Sequence, residues 1–175
     1  MKVESSMPYF AETSSPSRPE FEFLFEIELT WKSLQNIPDM PTGAGRGATY
    51  VDTGIVRGPH LNGRIVPQSG GDWALFRPDK VLGLDARYML EAEDGSLILM
   101  RNRGYLAGRA PDVLERIQAW MFRDGPPVPF EDYYLRVAPT FEVSKGSYEW
   151  LMQTVVIGIG ERQLSGNTIR YFALL

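Results

Sequence analysis

The sequence predicts an all-β protein, an antiparallel up-and-down β-barrel of roughly eight or nine strands with one short amphipathic helix. Three observations predict it. Residues 20–31, EFEFLFEIELTW, alternate acidic and large apolar side chains. Asp94-Gly95 stands between two strand-like runs, where a hairpin turn belongs. Only one segment, near residues 111–123, carries apolar side chains at helical spacing.

Residues 1–19 hold Ser, Pro and charge without periodicity, so they read as a tail ahead of a single domain at residues 20–175. Within that tail Met7, Pro8, Tyr9 and Phe10 offer apolar surface that can fold over a pocket or a neighbouring subunit. In the first strand Phe21, Phe23, Phe25, Ile27, Leu29 and Trp31 fall on one face. Glu20, Glu22, Glu26 and Glu28 fall on the other, interrupted by Leu24. Such alternation means one buried and one wet face, as in an antiparallel sheet. The glycine-rich stretch over 41–73 then suggests short strands with bulges and barrel corners.

Residues 82–101 form the clearest hairpin. A two-residue turn at Asp94-Gly95 pairs Glu93 with Ser96 and sets Tyr88 opposite Arg101. In the helix, Pro111 suits the first turn and Asp112 sits near the positive end of the dipole. Val113, Leu114, Ile117, Trp120 and Met121 make its apolar stripe, and Gly125, Pro126 and Pro127 end it. Strands resume in DYYLRVAPTFEV, YEWLMQTVVIGIGER and TIRYFALL, the last long enough to let the sheet seal on itself.

Composition removes several function classes. A net charge of -4 leaves no electrostatic footprint for nucleic acid or an anionic membrane surface. The absence of cysteine excludes disulfides, thiolate catalysis and cysteine-bound zinc or iron–sulfur centres. One histidine, His60, cannot build a multi-histidine metal site, and no Gly-x-Ser-x-Gly elbow accompanies it. GAGRG at residues 43–47 lacks the Gly-Lys-Ser/Thr ending of a phosphate loop and precedes a strand-like ATYV, so it reads as a flexible loop. Arg46 within it can still reach an anionic ligand. No apolar run approaches the roughly 20 residues of a membrane span, and the first twenty residues lack a signal-like apolar core. The expectation is a soluble, cytoplasmic protein without cofactor, metal, nucleic-acid or membrane partner.

The chemistry concentrates in GGDWALFRPDKVLGLDARY, residues 70–88. Two glycines let the backbone turn and present the Asp72 carboxylate, the best general-base candidate, although a turn-capping role accounts for the same residues. Trp73 beside it supplies an apolar wall or a stacking surface. Asp85 and Arg87 share one strand face, either as a structural ion pair or as lumen groups with shifted ionisation. Tyr134 and Arg136 repeat the pattern, and Arg136 inside a sheet needs Asp85, Asp72 or a ligand oxygen as partner. Trp150, with Tyr148 and Tyr171, adds aromatic surface that serves equally as plain core. The candidate catalytic set is Asp72, Arg87 and Tyr88. The candidate binding set is Trp73, Asp85, Arg46, Arg136, Tyr134 and Trp150. Asp72, Arg87 and Arg136 are expected to converge on one cavity.

GPHLNGRIVPQSGGDW, LDARYMLEAEDGSLILMRNRG, YLRVAPTFEV and YEWLMQTVVIGIGER resemble, in order and spacing from about residue 21 to 174, the domain-of-unknown-function family 3237. The resemblance implies a small antiparallel barrel with a lumen and no settled activity. It places Gly71, Asp72, Trp73, Asp85, Arg87, Tyr88, Asp94, Gly95, Gly104 and Trp150 at motif positions.

Two functions fit these residues. One is a cofactor-independent acid–base enzyme of lyase, isomerase or cyclase type, acting on a small phenolic or other aromatic substrate, for example by expelling an aldehyde from a phenolic side chain. The alternative is a non-catalytic small-molecule-binding barrel. Aromatic and apolar surface beyond the needs of one small lumen, together with the Met7 to Phe10 segment, predicts a homodimer or larger assembly.

Overall fold

The computed structural model describes residues 18–175. Its elements are β1 (Phe21–Ile37), β2 (Gly45–Arg57), β3 (Gly63–Ile65), β4 (Gly71–Asp72), β5 (Leu75–Phe76), β6 (Val81–Ala92), β7 (Leu97–Gly108), α1 (Val113–Phe122), β8 (Tyr133–Val143), β9 (Val156–Gln163) and β10 (Gly166–Leu174). Every pairing is antiparallel, and β1 pairs with both β10 and β2, which closes the ring. The short segments β3, β4 and β5 each pair with β2 and β6, so together they fill one place in the wall. The result is a closed barrel of eight strand positions. A ring of that size leaves an interior that side chains can just fill.

The alternation of β1 holds only from Phe25 onward. A bulge between Phe23 and Phe25 shifts the register against β10. Leu24, the residue that interrupted the expected pattern, points into the core, whereas Phe21 and Phe23 lie on the outside. Phe23 packs there against Phe172, ring centroids 5.6 Å apart. One extra residue reverses every side chain beyond it, because the strand period is two.

The hairpin also differs from the two-residue turn. Of its tip residues only Gly95 has a positive φ, at 84°. The Gly95 N–H donates to the Ala92 carbonyl and the Ala92 N–H donates to the Ser96 carbonyl, each at 2.9 Å. This is the bulged three-residue connection, which needs one left-handed residue and not two. The ladder resumes at Glu91 with Leu97 and sets Tyr88 opposite Met100, one place from the expected register.

Helix α1 lies across one mouth of the barrel. Val113 and Ile117 are buried there with Leu82, Leu106, Tyr133 and Leu135. A second apolar body, including Phe25, Leu90, Ile98, Phe141 and Trp150, fills the opposite end. Between them the ladder carries a polar layer. Asp72, Ala86 and Asn102 stand in one row, with Leu82 and Leu106 two rungs toward α1 and Tyr88 and Met100 next toward the hairpin. Among the described residues no helix is long and apolar enough to cross a membrane.

Candidate functional site

The polar layer begins with the glycine pair before Asp72. A side chain at Gly70 would collide with the Arg87 carbonyl oxygen, and one at Gly71 would sit 2.5 Å from the Thr49 oxygen. Only glycine therefore lets β4 slip between β2 and β6. In that position Asp72 points inward, opposite Thr49 and Ala86, and is 8% exposed. Its Oδ1 accepts the Asp85 backbone N–H at 2.9 Å. Burial pushes the Asp72 carboxyl up to about 6, although that hydrogen bond and the positive charge of Arg162 both pull it down.

Arg162 on β9 is the other buried charge. Its Nη1 donates to Asn167 Oδ1 at 2.9 Å, and its backbone N–H donates to the Tyr133 hydroxyl at 2.8 Å. Nε has no partner. Among the described residues no carboxylate forms an ion pair with Arg162. Burial holds its guanidinium below the ordinary arginine range, partly offset by the charge of Asp72.

Tyr88, Tyr171 and Asn102 complete the layer. Asn102 Nδ2 donates to the Tyr171 hydroxyl at 2.9 Å. Tyr171 and Asn102 lie near enough to Tyr88 to weigh on its ionisation. Even so, its hydroxyl makes no hydrogen bond of acceptable geometry. Burial raises both phenols well above their usual range, so each is a neutral hydroxyl. Trp31 Nε1 is a further buried donor without a partner.

Asp72, Arg162, Trp31 and Thr49 line a cavity of about 40 Å³ whose remaining wall includes Ile117 and Met121 of α1. That volume holds a few waters at most. An aromatic ring needs more room than this with α1 in place.

The other expected site residues lie elsewhere. Arg87 is exposed on the outer wall, next in sequence to inward Tyr88, because neighbours on a strand face opposite sides. Asp85 also faces out, gripped by Arg101 through two hydrogen bonds of 2.9 and 2.8 Å, which hold its carboxyl below the usual range. Arg136 lies 5.0 Å over the Tyr134 ring and 5.7 Å over Phe130, and Nη1 donates to the Leu135 carbonyl. Arg46 donates to the Trp73 carbonyl at 3.1 Å, and Trp73 is 40% exposed.

Arg46, Trp73, Asp85, Tyr134 and Arg136 thus line an open groove of about 1110 Å³ on the outside of the barrel. Trp150 is buried in a short turn, Glu149–Met152, at the end away from α1, with its ring 6.0 Å from that of His60. Asp72, Arg87 and Arg136 do not converge on one cavity. Of the expected residues, Asp72 and Tyr88 face the lumen's polar layer.

Sequence reasoning missed Arg162, Asn167, Asn102 and Trp31 as lumen groups. For Arg162 a signal exists. Val156, Gly158, Gly160 and Arg162 alternate on one strand face, and all four are buried. An arginine at the end of an inward row of small residues marks a guanidinium pointing into a barrel.

The closed ring and its buried acid and guanidinium define a small β-barrel with a polar lumen. The chain belongs to a family of proteins of unknown function, DUF3237, whose model matches residues 19–174. It is 31% identical over 155 residues to a UPF0311 protein of Clostridium acetobutylicum, covering 88% of this chain and 93% of that one. A crystal structure from Acinetobacter baumannii, described as a beta-barrel like protein, matches with a TM-score of 0.75 at 25% identity, over 93% of this chain and all of that one. A hydroalkoxylation enzyme of Penicillium herquei is 32% identical over 99 residues, 54% of this chain and 64% of the enzyme.

Proposed function

We propose that the barrel is a cofactor-independent acid–base enzyme acting on a small aromatic, phenolic substrate in its lumen, with Asp72 as the proton-transfer group. One observation carries this reading. A carboxyl pushed up to about 6 faces the lumen, where it can both take and return a proton near neutrality. Its Asp85 hydrogen bond fixes its direction, and in this reading the neutral Tyr88 hydroxyl of the same polar layer donates to a developing oxyanion.

The Penicillium relative supports the reaction class. Hydroalkoxylation forms a C–O bond across a C=C bond, moves the hydroxyl proton to a base and delivers a proton to the neighbouring carbon. No electrons change hands, so an acid and a base suffice. The reverse step is an elimination, and aldehyde-expelling cleavage of a phenolic side chain draws on the same proton transfers. Arg87 has no part in this chemistry, because it lies across the wall from Tyr88.

The test is a panel of phenols bearing unsaturated or hydroxylated side chains, assayed with wild type and Asp72→Asn. Turnover by the wild type and its loss in Asp72→Asn, with binding retained, is the expected result. Equal turnover by the variant removes Asp72 from the chemistry. Binding by both with turnover by neither favours the non-catalytic binding barrel.

A further inference from the structure

We infer that Arg162 and Trp31 form a receptor for the carboxylate of an aromatic acid, which makes such an acid the substrate class of the lumen. The inference rests on the proposed lumen site and adds what that site selects. Arg162 and Trp31 line the same cavity as Asp72. Each carries a buried N–H without an acceptor, Arg162 Nε and Trp31 Nε1. Indole and guanidinium nitrogens can only donate. The cavity therefore holds more donors than its own residues satisfy, and a buried unpaired donor is costly.

The geometry of Arg162 narrows the ligand. Its Nη1 is committed to Asn167, which leaves the edge bearing Nε for a ligand. A guanidinium edge offers two parallel N–H bonds, matched by the two oxygens of a carboxylate and only half used by a phenol or an ester. Asp72 acts on Arg162 through its charge but makes no ion pair with it among the described residues, and its Oδ1 is held by the Asp85 N–H. Ile117 and Met121 of α1 close this side of the cavity, so admitting the ring of the acid requires them to shift. With the carboxylate anchored at Arg162, the ring and side chain lie beside the Asp72 carboxyl.

Binding of 4-hydroxycinnamate and of its methyl ester, measured by calorimetry on the full chain, tests this. The wild type should bind the acid at least tenfold more tightly than the ester, about 1.4 kcal/mol. Arg162→Gln should abolish that preference while keeping the ester affinity. If that variant fails to fold by circular dichroism, Trp31→Phe, which removes only the indole N–H, should weaken the acid several-fold and leave the ester unchanged. Asp72→Asn should keep the preference. A wild type that binds both probes equally, or neither, overturns the inference, as does an Arg162→Gln or Trp31→Phe variant that keeps the full preference. Turnover is read separately. A preference for the acid without turnover sinks the enzyme reading alone, and Asp72-dependent turnover without the preference sinks this inference alone.

Discussion

Asp72 and Asp85 are joined by one hydrogen bond and face opposite sides of the barrel wall. Asp72 Oδ1, in the lumen, accepts the Asp85 backbone N–H at 2.9 Å, while the Asp85 carboxylate lies outside on Arg101. The wall is one strand thick, so adjacent acids meet different dielectrics. Burial raises one carboxyl and an exposed arginine lowers the other.

The raised carboxyl makes stability depend on pH in a defined direction. Asp72 titrates at about 6 when folded, against an ordinary aspartate value of 3.8. Between those values the folded state holds the proton and the unfolded state does not, so stability falls as pH rises. The contribution is fully present below about 4, is lost as pH passes through about 6, and amounts to roughly 3 kcal/mol. Arg162, Asp85 and Tyr88 are the ionisable neighbours coupled to it. Asp72→Asn keeps an oxygen for the Asp85 N–H and removes the titration. Urea melts should show the two proteins similar near pH 4 and the variant the more stable at pH 7.5. A difference that does not change with pH counts against the buried, raised carboxyl.

The two lumen tyrosines should separate cleanly. The Tyr88 hydroxyl makes no hydrogen bond of acceptable geometry with its neighbours Tyr171 and Asn102, so Tyr88→Phe should leave stability unchanged or raise it, while lowering turnover if the hydroxyl meets the substrate. Tyr171 accepts from Asn102, so Tyr171→Phe strands a buried amide and should cost about 1–3 kcal/mol. Chemical denaturation of the two variants measures the contrast.

On the outer wall, Arg87→Ala should change stability by no more than about 0.5 kcal/mol, as substitutions of exposed side chains usually do. It should also leave turnover intact. Arg136→Ala removes a guanidinium stacked on Tyr134 outside the barrel and should likewise leave the lumen's chemistry unaltered. Loss of turnover in Arg136→Ala would move the reaction from the lumen to the outer groove, of which Arg136 is part, and loss in Arg87→Ala would count against a reaction confined to the lumen.

Gly71→Ala should be damaging in two ways. A methyl group 2.5 Å from the Thr49 oxygen must push β4 away from β2, an overpacking that costs about 1–3 kcal/mol. The same displacement turns Asp72 away from its place opposite Ala86, so activity should fall further than the loss of stability explains. Turnover measured well below the melting temperature separates the two effects.

Much of this molecule is written locally. Alternation from Phe25 to Trp31, the Asp94-Gly95 tip and the Val113–Ile117 stripe depend on neighbours a few residues away, and periodicity records them. The glycine pair before Asp72 also signals its purpose, because a close backbone approach leaves a residue type behind. Other features depend on which strand lies opposite. The bulge at Leu24 and the three-residue hairpin each moved a register by one place, which exchanges inside for outside. Arg87 and Tyr88 are both plausible lumen residues in sequence, yet only one can face in, and barrel closure decides which. The polar layer itself draws Trp31, Asp72, Asn102, Arg162 and Tyr171 from five different strands. No local pattern relates them, because their proximity is created only when β1 meets β10 and the sheet becomes a ring.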